Sequence, residues 1–288
     1  MRVIPRPIYL DNIVTRLNKG VMLILTGQRR VGKSFMLRLL KDYLQNNLPK
    51  ANILYINKEV QQYSFIKDAH NLYELVNEKL PPDQENYLLV DEVQDIKNFE
   101  DALRSLHAED RCQIVATGSN AFIFSSELST RLAGRFIEIP IHSLCYEEFL
   151  RFHGMEDSEQ SLLSFIKVGG LPGLSNFDIS DETQVDDYLQ GVYSTVLIRD
   201  VITREKIRNA VFLENLSKSV AECVGKLVSS RSLAQFMGAN GENISEPIVS
   251  SYLNYLCNAL IIQKASRYDI HGKNYFYRII SFSFPTTD

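Results

Sequence analysis

Five short, largely apolar runs mark the first half of the chain: Val21–Leu25, Ile53–Ile56, Tyr87–Val90, Cys112–Ala116 and Phe136–Ile139, the last two interrupted by Gln113 and Glu138. Each is too short for a helix, and polar or glycine positions border them, so each predicts a buried strand. Between the runs the apolar positions take helical spacing, at Phe35, Leu37, Leu39 and Leu40, from Leu72 to Leu80, and across residues 98–107. Ahead of the first run, Ile8, Leu10, Ile13, Val14 and Leu17 predict a further helix ending before Gly20. Strands alternating with helices predict an α/β fold built on a parallel sheet.

Beyond residue 155 the pattern changes. Gly169–Gly173 (GGLPG) reads as a loop, either a connection or a hinge. Val185, Tyr188, Leu189, Val192, Tyr193 and Val196 then form one helical stripe that needs a packing partner. Further on, Ser230–Met237 predicts a short helix, Gly238 and Gly241 a turn, and Ser245 the cap of a second helix carrying Val249, Tyr252, Leu253, Leu256 and Leu260. Ile261–Ile262 and Tyr275–Ile279 predict a two-stranded wing, so this end reads as a winged helix-turn-helix. The expected division is an α/β domain over residues 1–155, a helical linker or lid over 156–210, and a winged-helix-like domain over 211–288.

Candidate chemistry begins where the first strand ends. Gly27-Gln28-Arg29-Arg30-Val31-Gly32-Lys33-Ser34 has the spacing of a phosphate-binding loop, in which glycine lets successive backbone N–H groups turn inward around a phosphate. Gly27 to Phe35 are the expected nucleotide-binding residues. Lys33 would reach the β- and γ-phosphates, the Ser34 hydroxyl would take a place on Mg²⁺, and the following helix would point its positive end at the phosphates. Arg29 and Arg30 face either the nucleotide or solvent. Arg6 and Tyr9 are read as a packing arm in preference to flanks for an adenine ring.

The Tyr87–Val90 run delivers Asp91 and Glu92 to a strand end, about 58 residues after Lys33. Ligands of open α/β sheets bind at that edge. Asp91 is the expected Mg²⁺ ligand and Glu92 the group that polarises the attacking water, a hydrolase feature that nucleotide-dependent kinases usually lack. After Cys112–Ala116 come Thr117, Gly118, Ser119 and Asn120, with Ser119 and Asn120 the candidates for a contact to the γ-phosphate or the water. Arg135, ahead of the next strand, is a candidate for stabilising transition-state charge, with Arg131 as the alternative.

Together GQRRVGKS, LLVDEVQD, ATGSNAF, LAGRF, EEFL at Glu147–Leu150 and GGLPG resemble a prokaryotic AAA-type ATPase family, whose members join an ATPase domain to a C-terminal domain of unknown function containing a winged helix. VYSTVLIRDV at Val192–Val201 extends the resemblance over most of the chain. It implies an AAA-like ATPase domain over residues 1–155, a P-loop NTPase core with a parallel five-stranded sheet, of the catalytic-glutamate class, related to switch-type ATPases. Family members commonly continue past the wing into a nuclease-like region. Here the sequence stops at Asp288 with no cluster of acids and lysine, so no nuclease activity carries over.

Composition narrows the partners. With 31 Lys+Arg against 35 Asp+Glu, the formal charge of -4 supplies no global field for nucleic acid. The predicted recognition helix contains no lysine or arginine, and the basic residues lie in the wing at Lys264, Arg267 and Lys273, so weak DNA binding is the most that is expected. No apolar run approaches the roughly 18 residues that span a bilayer. The four cysteines are widely spaced without C-x-x-C pairs, which predicts reduced thiols and a cytoplasmic protein. The expected activity is Mg²⁺-dependent ATP hydrolysis driving a conformational switch, with an unidentified protein partner and room for oligomerisation. The alternatives are an ATP-regulated DNA-binding protein and a phosphotransferase.

Overall fold

The computed structural model describes residues 4–118, 132, 134–207, 209–223, 227–239, 244–266 and 280–283. All five predicted runs are strands: β1 Met22–Thr26, β2 Asn52–Asn57, β3 Asn86–Asp91, β4 Gln113–Thr117 and β5 Phe136–Pro140. They pair in the order β2-β3-β4-β1-β5, and every pair is parallel. Parallel neighbours cannot be joined by a tight turn. The crossovers are the helices α2 (Lys33–Asn47), α3 (Ala69–Lys79) and α4 (Phe99–Ala108), and α1 (Pro7–Val14) precedes the sheet.

Alternate strand residues point to opposite faces. Met22, Ile24, Leu88, Val90, Ile114 and Ala116 share one core with Leu72 and Val76 of α3 and Leu103 and Leu106 of α4. The intervening Leu23, Leu25, Leu89 and Val115 are equally buried. The second helix, with buried Met36, Leu37, Leu40 and Leu44, packs on β2, β3 and β4. A sheet covered on both faces explains why the runs of β1 and β3 are continuously apolar instead of alternating, while β5, at the edge of the sheet, carries Glu138. Because all strands run one way, the loop after β1, the acids ending β3 and the hydroxyl ending β4 emerge at one edge.

The chain forms two compact units, Met1–His142 with Tyr146–Ser161, and Ser143–Cys145 with Leu162–Asp288. This division falls at residues 143–145 and after 161, beside the breaks expected after residues 155 and 210. Residues 156–161 go with the first unit. Val192, Val196, Leu197 and Val201 share a core with Phe212, Leu213, Leu216 and Val220, so apolar packing runs straight across position 210.

In the second unit, the helix Glu182–Thr195 is capped by Asp181, whose side chain accepts from the Gln184 N–H, and it continues as a π-helix over Val196–Thr203. Then follow the helix Ala210–Ala221, β6 (Leu227–Val228), the helices Ser230–Ala239 and Glu246–Asn258, β7 (Gln263–Ser266) and β8 (Ile280–Ser283). The sheet is antiparallel in the order β6-β8-β7, three strands where a two-stranded wing was expected. Ile261 and Ile262 are buried just ahead of β7, and the expected strand Tyr275–Ile279 lies outside the described residues. Gly238 falls inside the helix Ser230–Ala239, not in a turn; Gly241 is outside the described residues.

The Gly169–Gly173 loop is closely packed within this unit. The Leu144 N–H donates to the Gly170 carbonyl at 2.6 Å. A Cβ on Gly170 would stand 2.3 Å from the Leu144 carbonyl oxygen, and one on Gly173 2.0 Å from the Tyr188 hydroxyl. Those contacts favour a fixed connection over a free hinge.

Leu23 has no exposure and sits between β4 and β5. Leu23→Ala is expected to lower unfolding stability by about 2–5 kcal/mol in urea titration, whereas Ile8→Ala, at a side chain 70% exposed, stays within about 0.5 kcal/mol of the parent.

Candidate functional site

Between β1 and α2 the backbone takes conformations that most residues avoid. Gly27 has φ +144°, Arg30 +71° and Gly32 +101°. Gly27 is glycine for a second reason. A Cβ there would lie 2.1 Å from the Ile141 carbonyl oxygen and 3.1 Å from Val31 Cγ2, so the loop could not close against the segment after β5. Gly32 caps α2 in the left-handed region, and its carbonyl accepts the first helical bond, from the Met36 N–H at 3.0 Å. Lys33, the first helical residue, is 4% exposed. Its Nζ donates to the Gly27 and Gln28 carbonyls, each at 2.9 Å. Gln28 and Arg29 are half-buried and Arg30 is exposed. Arg38 lies over the Phe35 ring, 5.2 Å from its centroid.

Asp91 ends β3 with no exposure. Its Oδ1 accepts from the Thr117 hydroxyl at 2.6 Å and from the Ser34 hydroxyl at 3.1 Å. Its Oδ2 is buried with no hydrogen-bond partner among the described residues. Burial pushes the Asp91 carboxyl above its ordinary range, the hydroxyls of Thr117 and Ser34 pull it back, and the nearby charges of Glu92 and Glu59 raise it again. On the neighbouring strand, the Tyr55 phenol is also pushed up, first by burial and next by the charge of Asp91.

Glu92 follows at φ +56° and is 7% exposed. Its N–H donates to the Thr117 oxygen at 2.9 Å, and its Oε2 accepts from the side-chain amide of Gln94. One hydroxyl at the end of β4 therefore accepts from the backbone of Glu92 and donates to the carboxylate of Asp91.

These contacts bring together the loop from Gly27 to Phe35, Asp91 and Glu92 as the sequence predicts. Thr117, not among the residues the sequence singles out, makes these contacts; the candidates Ser119 and Asn120, with Arg131, lie outside the described residues. The available signal is its position as the polar residue that follows the apolar run Ile114–Ala116; its register with Leu25 at the mouth of the loop is seen only in the structure.

Arg135 requires a correction. Its carbonyl accepts from the Met22 N–H at 2.8 Å, at the start of β1, and Phe136 pairs with Met22 in parallel. Arg135 thus stands at the amino edge of the sheet, and the length of β1, on the order of 15–20 Å, separates its backbone from the phosphate loop. That exceeds an arginine's reach, so the contact expected within the chain is not made. Arg6 and Tyr9 do form a packing arm, the guanidinium lying 4.4 Å from the centre of the Tyr9 ring.

The AAA domain family matches residues 19–150, and a domain of unknown function, DUF8612, matches residues 159–276. An uncharacterized protein of Haemophilus influenzae is 33% identical over 280 residues, covering 95% of this chain and 69% of its own length. An uncharacterized protein of Methanocaldococcus jannaschii is 27% identical over 265 residues, covering 88% of this chain and 58% of its own length. The chain thus spans only part of both relatives. Among solved structures, the Aeropyrum pernix ORC1 protein in complex with DNA aligns with a TM-score of 0.44 and 12% identity, covering 99% of this chain and 91% of that one. AMPPCP-bound DnaA from Aquifex aeolicus aligns with a TM-score of 0.42 and 13% identity, covering 86% and 85%. At so low a likeness neither bears on what this chain binds. Sharing a third of its residues with the Haemophilus influenzae relative over nearly its whole length, the chain belongs to a family of AAA-type P-loop ATPases in which a domain of unknown function follows the AAA domain.

Proposed function

We propose that this chain binds ATP with Mg²⁺, hydrolyses it to ADP and phosphate, and uses the cycle as a conformational switch. The observation that carries the reading is the Ser34–Asp91 hydrogen bond of 3.1 Å, which ties the phosphate loop to the acid at the end of β3. Loop, acid pair and hydroxyl bridge then share one edge of the sheet, where ligands of α/β folds bind.

Gly27 to Phe35 cradle the phosphates through backbone N–H groups, and Lys33 exchanges its bonds to the Gly27 and Gln28 carbonyls for phosphate oxygens. Ser34 and Asp91 would hold the metal. Asp91 fits because Oδ2 is buried without a donor among the described residues, and a carboxylate oxygen with a hydroxyl beside it is a donor set suited to Mg²⁺. When bound, Mg²⁺ supplies charge neutralisation at the β- and γ-phosphates. Glu92 orients and polarises the attacking water, with Gln94 and Thr117 holding its side chain and backbone. Arg135 serves only if a neighbouring copy presents it. Asn120 keeps its expected role as a contact at the strand tip.

In the second unit, the succession of three helices with an antiparallel sheet β6-β8-β7 supports the reading as a winged helix. The helix Glu246–Asn258 has no lysine or arginine to meet phosphates, which favours a docking surface over a DNA reader. Lys264 of β7, with Arg267 and Lys273 further along the sequence, would give weak DNA affinity with a shallow salt dependence of roughly −0.9 per phosphate contact.

Lys33→Ala is expected to abolish binding of fluorescent ATP analogues. Glu92→Gln keeps binding and lowers phosphate release by about 10²-fold or more. ATP turnover by Glu92→Gln at the parent rate would overturn the role of Glu92, and a phosphorylated acceptor in place of free phosphate would point to a phosphotransferase. Thr117→Val should cost about 1–3 kcal/mol in urea unfolding, because the buried Glu92 N–H loses its acceptor, while Thr117→Ser restores the parent value. Arg135→Ala should leave turnover unchanged in dilute protein. A fall of up to about 10³-fold confined to concentrated protein would indicate supply by a neighbour, and no change at either concentration removes Arg135 from the mechanism.

A further inference from the structure

Arg6 is 4% exposed, and Glu148, the second acid of EEFL, is equally buried. Arg6 Nε and Nη2 donate to Glu148 Oε1 and Oε2, each at 2.7 Å, in a bidentate pair. Nη1 donates to the His142 carbonyl at 2.9 Å and to the Val31 carbonyl at 3.2 Å. The guanidinium lies over the Tyr9 ring, whose hydroxyl accepts from the His142 N–H at 3.3 Å. One side chain near the chain's beginning therefore gathers the phosphate loop, the segment after β5 and the helix Tyr146–His153, all within the first unit.

A buried ion pair is weak evidence for stability, because desolvating both charges offsets much of their attraction, and an apolar pair of similar volume often does as well. An apolar pair could not donate to Val31 and His142. The direction of that donation has a consequence for the loop. The Val31 carbonyl and the Gly32 N–H belong to one planar trans peptide and point opposite ways. With the carbonyl held by Arg6, the Gly32 N–H is aimed away from Arg6. Gly32, at φ +101° and with nothing within 4 Å of where a Cβ would be, has no steric barrier of its own against rotation of this peptide. The wall behind the loop is fixed separately: the Ile141 N–H donates to the Thr26 carbonyl at 2.7 Å, and the Ile141 oxygen closes on Gly27.

We infer that Arg6, held by Glu148, is a positioning residue that locks the Val31–Gly32 peptide of the phosphate loop and thereby sets the affinity for nucleoside di- and triphosphates. Arg6 touches no phosphate in this scheme. The affinity half of the inference rests on the nucleotide-binding reading above; the lock on the peptide does not.

The test uses the full chain and the variants Arg6→Gln, Arg6→Lys and Glu148→Gln. Three quantities are read: the Kd for ADP well below each melting midpoint, the midpoint itself, and amide exchange by mass spectrometry without added nucleotide. Arg6→Gln is expected to raise the Kd for ADP about 10-fold or more and to speed exchange across residues 27–34, with residues 86–91 unchanged. Glu148→Gln should shift both in the same direction by less. Arg6→Lys keeps a charge for Glu148 but loses the fork, so it should recover the melting midpoint more fully than the Kd. It also decides the matter if Arg6→Gln does not fold. A folded Arg6→Lys with the parent's Kd and the parent's exchange at residues 27–34 overturns the inference. A parent chain that binds no ADP, while loop exchange still responds to Arg6→Lys, overturns the nucleotide-binding reading and leaves the lock standing.

Discussion

A carboxylate wholly withdrawn from water has to be met by donors, and at Asp91 those donors decide how the site is built. The effective cost of burying such a charge is several kcal/mol. Thr117 and Ser34 supply the donors to Oδ1, one from the end of β4 and one from the first turn of α2. Meeting that need ties α2 to the ends of two strands, β3 and β4, that are already paired through their backbones. The parallel register of Val90 with Ala116 brings the ends of β3 and β4 level, so the hydroxyl of Thr117 arrives where the acid needs it. The same hydroxyl fixes the backbone of Glu92, held in a left-handed conformation next to it. Burial of one acid thereby organises its neighbour.

What could be read from the sequence divides along a physical line. The five strands were legible because their runs are short, largely apolar and bordered by polar or glycine positions, as a sheet covered on both faces requires of its inner strands. The phosphate loop was legible because its glycines answer local demands, a positive φ at Gly27 and Gly32 and the close approach of Ile141. Asp91 and Glu92 followed from their place at a strand end. Thr117 was less legible, since its meaning depends on which strand lies beside β3, and the order β2-β3-β4-β1-β5 is not written in any one segment. Arg6 and Glu148 are separated by 142 positions, and no periodicity connects them. Arg135 misled for the same reason. Proximity in sequence to a strand suggested the active edge, whereas a residue ahead of a parallel strand stands at the opposite one.

The second unit was harder to read because its signals are weaker in kind. A strand of two residues, β6, falls below any useful window for alternation, so the sheet gained a strand unseen in the sequence. The apolar stripe of the helix Glu182–Thr195 was legible as a face needing a partner, and its partner is the core that holds Phe212, Leu216, Val249 and Leu253. Reading residues 156–210 as a separate linker missed this, because helical spacing shows that a face is buried without showing against what. Glycines at 169–173 suggested freedom of movement, yet at Gly170 and Gly173 the missing Cβ makes room for Leu144 and Tyr188.

The ammonium of Lys33 is bonded to two carbonyls of its own loop, which on the proposed reading would make phosphate capture a substitution reaction. An incoming anion gains contacts with the cation only as the cation gives up oxygens it already holds, and the carbonyls of Gly27 and Gln28 must find other donors. The heat released on binding is then a difference between two sets of charge-assisted bonds, smaller than the new contacts alone would suggest. Discrimination follows from the same difference. An anion offering one weakly basic oxygen has little advantage over two backbone carbonyls, whereas a polyphosphate presents several oxygens at once and shifts the balance. On the proposed reading, the loop's internal bonds would act in this way as a threshold that filters ligands by charge density before shape is considered.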